Sequence, residues 1–122
     1  MMAFWIPAIF AASIAVIHIV AGGREIARPL LHQGTLSPSV TLTHYYCWHM
    51  ATISLIGLAG CYAYAAVSQD GRILAAFATL IAFAFCIWGF ILVLWKRQRH
   101  RDMPQWVLFL GLTASGIWAH SV

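Results

Sequence analysis

Four apolar segments, each about as long as a membrane-spanning helix, make up most of the chain. They lie at residues 4–22, 41–67, 73–95 and 104–120, and a helix needs roughly 20 apolar residues to cross about 30 Å of hydrocarbon. Of the 122 residues, 62% are hydrophobic and only 8% are charged, whereas about one-quarter of an average soluble domain is charged. Because so small a fold could not hide this apolar surface from water, the sequence predicts a membrane protein.

Backbone hydrogen bonding decides which kind of membrane fold these segments form. In lipid every backbone N–H and C=O needs a partner within the protein, and four segments are too few to close a β-barrel. We therefore expect an all-α fold, an antiparallel bundle of four transmembrane helices, in a single domain that covers residues 1–122. The first segment has no positively charged region before it and no clear small-residue cleavage site before Arg24, so we expect it to remain as a span.

The charged residues lie almost entirely between the apolar segments, and the basic ones are unevenly distributed. The first connection holds Arg24 and Arg28, the third holds the basic run at residues 96–102, and the second holds only Arg72. Lys and Arg concentrate on the cytoplasmic side of a membrane. We therefore expect the first and third connections in the cytoplasm and both termini outside, as a multi-pass protein of an inner (cytoplasmic) membrane. The basic run is one short loop that suits lipid headgroups; a nucleic-acid partner is not expected.

The first connection has an amphipathic pattern. Arg24 and Arg28 are four residues apart and share one side of a helix, which predicts a short interfacial helix or a bent continuation of the first span. Pro29 is expected to bend or end that helix because it lacks a backbone N–H. The two arginines are candidates for binding an anionic group such as a phosphate or a carboxylate. The alternative is that they anchor the chain at lipid headgroups and pair locally with Glu25.

Two histidines, His18 and His49, lie inside apolar segments, where ionisable groups are costly and usually mark a ligand site, a pathway or a specific polar contact. With the topology above, His18 is about 6 Å and His49 about 12 Å inside the cytoplasmic boundary. Tyr45, His49 and Thr52 share one helical face, whereas His44 is about 140° away from His49. If that face meets the first helix, His18 and His49 approach each other.

Such a histidine pair is compatible with several functions, and the sequence leaves them open. The imidazoles could ligate the iron of haem b, with Tyr46, Trp48 or Trp88 against the macrocycle, or hold a metal ion together with His44 or Cys47. They could form a proton-accepting site for a quinone headgroup. They could also bond only to neighbouring groups and join the helices.

Missing motifs argue against several enzyme classes. No acidic residue lies within a span to orient either histidine, and the chain has no H-E-x-x-H, no phosphate-binding glycine loop and no C-x-x-C.

Small residues on the second and fourth segments, among them Gly57, Gly60, Gly111 and Gly116, predict close helix contacts. We expect a binding or accessory subunit, in a homo-oligomer or a larger membrane complex; the alternative is a redox-linked protein that uses the histidines for haem, metal or quinone.

The first half of the chain carries a series of short motifs. His18 is followed by Gly23-Arg24, by Pro29-Leu30 and then by Trp48-His49-Met-Ala-Thr52. This pattern resembles that of a group of small bacterial four-span membrane proteins that has no established activity. The resemblance draws attention to these positions and implies a four-span fold, without indicating a substrate.

Overall fold

The computed structural model describes residues 1–122, and all of its regular structure is helical. The main elements, in chain order, are α1 (Trp5–Ile17), a π-helical segment (His18–Ala27), α2 (Arg28–His32), α3 (Pro38–Val67), α4 (Arg72–Trp95) and α5 (Gln105–Ser121). Short 3₁₀ turns at Met2–Phe4 and Gln69–Gly71 precede α1 and α4. The prediction of an all-α fold is confirmed.

Three helical stretches are long and apolar enough to cross a membrane. They run from Met2 to His32, from Pro38 to Val67 and from Gln69 to Trp95, which supports the predicted membrane location. The fourth predicted span, at residues 104–120, corresponds to α5. With 17 residues, α5 is about 25 Å long, at the short end of the range for a transmembrane helix.

The first helical stretch extends well beyond the predicted boundary at Gly22. It continues as a π helix through the glycine pair and then as α2 to His32, so a continuation of the span, rather than a separate interfacial helix, is observed. Pro29 lies inside this continuous helix, two residues after the end of the π segment, and it lacks the N–H that would bond to a carbonyl of the preceding turn. The chain becomes extended at Gln33, four residues later.

Gln33 fastens the turn between α2 and α3. Its side-chain oxygen accepts hydrogen bonds from the backbone N–H groups of Thr35 and Leu36, at 3.0 and 3.1 Å, and its amide donates to Thr41 Oγ1 at 3.1 Å. These bonds satisfy backbone donors that the turn leaves free. They also fix the start of α3 against the end of the first helical stretch.

Small side chains dominate the contacts between the helices. Nine of the ten buried alanines belong to the core between the helices: Ala8, Ala11, Ala15, Ala65, Ala66, Ala75, Ala78, Ala82 and Ala119. The ring of Phe10 packs against Gly111, where an added Cβ would lie 2.7 Å from Phe10 Cε1. Helices in lipid associate by close van der Waals packing of this kind, so the contacts predicted for the glycines of the fourth segment are confirmed here.

The most enclosed polar contact joins α3, α4 and α5. Tyr62 is fully buried, and its hydroxyl lies 3.0 Å from Thr79 Oγ1, which in turn donates to the carbonyl of Ala75 at 2.8 Å. The hydroxyl of Tyr62 is therefore the donor to Thr79. An added Cβ at Gly116 would lie 2.5 Å from Thr79 Oγ1 and 2.9 Å from Tyr62 OH, so only glycine fits beside this pair.

Candidate functional site

Trp48 is the centre of an aromatic cluster between the first helical stretch and α3. His18, the first residue of the π segment, stacks on the indole, with ring centroids 4.5 Å apart and planes inclined by 20°. Tyr45, one turn earlier on α3, lies parallel to the indole with its centroid 6.3 Å away. Parallel aromatic rings at such separations attract each other beyond their mere contact area.

A hydrogen bond reinforces the contact between His18 and Trp48. His18 Nε2 donates to the backbone carbonyl of Trp48 at 3.3 Å, and Thr52 Oγ1 donates to the same carbonyl at 3.2 Å. The bond requires a proton on Nε2, so that in the corresponding neutral tautomer Nδ1 is an acceptor. His18 therefore joins two helices through its ring face and through one of its nitrogens.

Two adjacent glycines lie against the indole at ordinary contact distance. An added Cβ at Gly22 would lie 3.8 Å from Trp48 Nε1 and 3.9 Å from His18 Nδ1, and one at Gly23 would lie 4.0 Å from the far end of the indole. The backbone of the π segment thus forms the floor beneath Trp48. Such π-helical turns are rare and are frequently found at functional sites.

The indole N–H of Trp48 is buried and has no hydrogen-bond partner. Most buried donors in proteins are paired, and an unpaired one costs about 1–3 kcal/mol. This donor and the free Nδ1 of His18 both face Gly22. The cluster therefore offers one donor and one acceptor that the protein itself does not use.

His49 occupies a different environment from His18. Its ring lies edge-on to Trp48 at 5.1 Å and to Tyr45 at 4.5 Å, and its side chain is exposed on the outside of α3. The face predicted from Tyr45, His49 and Thr52 meets the first helix mainly through its neighbour Trp48, with Tyr45 and Thr52 partly buried. Both histidines contact the same indole, and no hydrogen bond joins them to each other.

The geometry can be compared with what a haem or a metal ion requires. Axial ligation needs two imidazole nitrogens directed at one iron, but His18 Nε2 is bonded to the carbonyl of Trp48, and Trp48 contacts both rings. The pair in this arrangement does not fit a haem. No group of three or more His, Cys, Asp or Glu side chains is gathered that could hold a metal ion; His44, for example, is exposed and bonds to the carbonyl of Val40.

The two arginines of the first connection differ in their surroundings. Both are exposed, but only Arg28 lines a groove with Tyr45 and Trp48, whereas Arg24 lies outside it. Of the two arginines, only Arg28 is therefore part of the site.

A second polar cluster, which the sequence analysis did not identify, lies at the other end of the bundle. Arg72 donates to the backbone carbonyl of His120 at 3.3 Å and lies over the ring of Phe4 at 5.5 Å, and Phe4 meets the imidazole of His120 edge-on at 4.9 Å. The cluster ties the start of α4 to the end of α5 and to the first helical turn. The only available signal was the position of Arg72 and His120 at segment ends.

Comparisons with protein-family models, with curated proteins and with solved structures gave no match. The interpretation of the site therefore depends on the geometry of its own residues.

Proposed function

We propose that the protein is a four-span protein of the bacterial inner membrane that acts as a binding or accessory subunit. In this role the contact between His18 and Trp48 holds the first two spans together, and the outer surface of the bundle docks with another copy or with a larger membrane complex. The observation that carries the proposal is the bonding of His18. Its Nε2 and its ring face are both engaged by Trp48, which is the arrangement of a residue that joins helices.

The order of contacts along the helices supports an antiparallel four-helix bundle. Phe4 meets His120 and Phe10 meets Gly111, so contacts move backwards along α5 as they move forwards along the first stretch. Gly116 packs on Thr79 of α4, whereas Gly89 of the same helix packs on Trp106 at the start of α5. Because α5 makes contacts over its whole length, we assign it as the fourth span despite its shortness.

Two exposed glycines on α3 support docking with another helix. Gly57 and Gly60 are exposed, and a Cβ added at either would meet nothing within 4 Å. The contacts predicted for these small residues are thus not made within one chain, whereas small residues in spans commonly serve helix association.

Replacing Gly57 by Leu should weaken the association that is detected by cross-linking in native membranes. Ala51→Leu, an exposed change on another face of α3, is the matched control. Unchanged cross-linking in the Gly57 variant would exclude this face.

The joining role of His18 is tested by comparing two leucine variants. His18→Leu removes an interhelical hydrogen bond and a ring stack, so we expect the free energy of unfolding in mixed micelles to fall by about 1–2 kcal/mol. His49→Leu removes two edge-on ring contacts at an exposed position but no hydrogen bond, so the fall should be smaller, about 0.5 kcal/mol. An absorption spectrum and a metal analysis of the wild-type protein, purified in mild detergent, complete the test. A haem absorption band lost in both variants would contradict the proposal.

Reporter fusions test the proposed orientation. Alkaline phosphatase fused after Val122 should be active, because the C-terminus is proposed to face outward, and a fusion after Gln98 in the basic connection should be inactive. The reverse pattern would invert the topology.

Redox-linked binding of a quinone headgroup is the second candidate function, and the unpartnered N–H of Trp48 is the observation that favours it. A quinone carbonyl can accept from this donor, and His18 Nδ1 can accept from a quinol hydroxyl. Chromatography of organic extracts from the purified protein distinguishes the two candidates: a quinone retained by the wild-type protein and lost in Trp48→Phe would favour the redox-linked function.

A further inference from the structure

An open groove runs along the junction between the first helical stretch and α3. Ala27, Arg28 and Leu31 form one wall, and Tyr45 and Trp48 form the other. Its volume is about 280 Å³. The groove begins beside the π segment and extends along α2, at the end of the first candidate span.

The charge in this groove has one sign. Arg28 is exposed and no acidic side chain lines the groove, so its guanidinium is free to meet an anion. The neighbouring imidazole of His32 bonds back to the carbonyl of Arg28 at 2.8 Å. That bond involves the main chain of Arg28 and not its side chain. The five N–H donors of the guanidinium therefore remain available.

The walls of the groove are apolar and aromatic. Leu31 and Ala27 offer hydrocarbon surface, and the rings of Tyr45 and Trp48 suit the boundary between lipid and water, where amphipathic aromatics concentrate. A single arginine in an open groove is a weak site for an anion that must arrive from solution. A lipid, by contrast, is present at high local concentration and brings apolar surface with its charge.

We propose that this groove binds the phosphate of an anionic phospholipid, with Arg28 as the residue that bonds the headgroup and the aromatic wall supporting the adjoining glycerol and acyl region. Guanidinium and phosphate form short charge-assisted hydrogen bonds, often two in parallel. The proposal goes beyond the accessory role above and holds whether or not the protein docks with a partner. It also separates Arg28 from Arg24, which the sequence treats as equivalent.

Native mass spectrometry in a neutral detergent tests this proposal on the full chain. Wild-type protein, Arg28→Gln and Arg24→Gln are titrated with dioleoyl phosphatidylglycerol and with dioleoyl phosphatidylcholine. We expect the wild-type protein to prefer phosphatidylglycerol. Arg28→Gln should lower the affinity for it about tenfold, as for the loss of a charge-assisted pair, whereas Arg24→Gln should lower it less than about threefold.

The matched arginine control decides between a specific site and general attraction to a basic surface. Equal losses in the two variants, no loss in Arg28→Gln, or equal binding of the two lipids by the wild-type protein would each overturn the proposal. Competition by soluble glycerol phosphate at concentrations near those of the lipid would also overturn it, because the site would then recognise a free anion. Arg24 and Arg28 are both exposed, so both variants should keep the wild-type circular dichroism spectrum.

Discussion

The contact of His18 with Trp48 and the contact of Tyr62 with Thr79 both place polar groups between helices, but they differ in how completely they are filled. At Tyr62 every hydroxyl has a partner, and Gly116 closes the space so tightly that an added Cβ would lie 2.5 Å from Thr79 Oγ1. At Trp48 an added Cβ on Gly22 would lie at an ordinary contact distance of 3.8 Å, and the indole N–H has no partner.

This difference separates a contact whose polar groups are all paired from one that leaves polar groups unpaired and has space beside it. A satisfied, fully packed polar pair has neither a free hydrogen-bonding group nor space, so it contributes stability and a defined helix register. The Trp48 cluster has a free donor, a free acceptor on His18 and a groove beside it. Binding sites are typically concave, with a few placed polar groups, and of the two contacts only the one at Trp48 has these properties.

Gly116→Ala should produce the largest effect, because it inserts a methyl group into the filled contact. We expect the free energy of unfolding in mixed micelles to fall by about 2 kcal/mol, as is typical of overpacking. Gly57→Ala is the matched control, since its Cβ would meet nothing within 4 Å. If both variants unfold alike in a titration followed by circular dichroism, the packing at Tyr62 is not as tight as described.

Tyr62→Phe should have a smaller effect in the same region. It removes the bond to Thr79 while Thr79 keeps its own bond to the carbonyl of Ala75. We expect a loss of about 1 kcal/mol or less, as for other hydrogen bonds between spans. Tyr64→Phe, on the exposed side of α3, gives the baseline, and a Tyr62 variant that is no less stable than this control would show that the hydroxyl contributes nothing.

Gly22→Ala should have the smallest effect on stability and sharpens the comparison most directly. The change is the same as at Gly116, but here the space accepts it, so its free energy of unfolding should agree with that of Gly57→Ala within about 0.5 kcal/mol. A methyl group here would stand against the free donor of Trp48 and the free acceptor of His18. Retained stability with loss of any bound quinone from organic extracts is the expected result; a destabilisation as large as that of Gly116→Ala would remove the distinction between the two regions.

Much of the candidate site was accessible from the sequence, and the reasons are local. His18 and His49 stand out because ionisable groups are rare in apolar segments. Helical periodicity placed Tyr45 and Thr52 on a shared face, and the structure gives both a place near the first helix. The periodicity could not decide how that face is rotated, and it is Trp48, not His49, that meets His18.

The equivalence of Arg24 and Arg28 shows the same limit. Their spacing puts them on one side of a helix, but a groove exists only where another helix supplies its second wall. Tyr45 and Trp48 supply that wall beside Arg28. Similarly, the pairing of Arg72 with the end of α5 joins residues that are 48 positions apart in the chain, which no local pattern could indicate.

The sequence by itself determined the solvent of this protein and its secondary structure, because lipid requires long apolar segments whose backbone bonds are satisfied internally. It also marked the histidines and the small residues as exceptional. Only the tertiary structure decided that Gly116 fills its helix contact whereas Gly22 leaves space. It also decided that His18, and not His49, bonds to Trp48. Those outcomes depend on helix rotation and separation over a few ångströms, and in lipid these are set by side-chain packing between segments far apart in the chain.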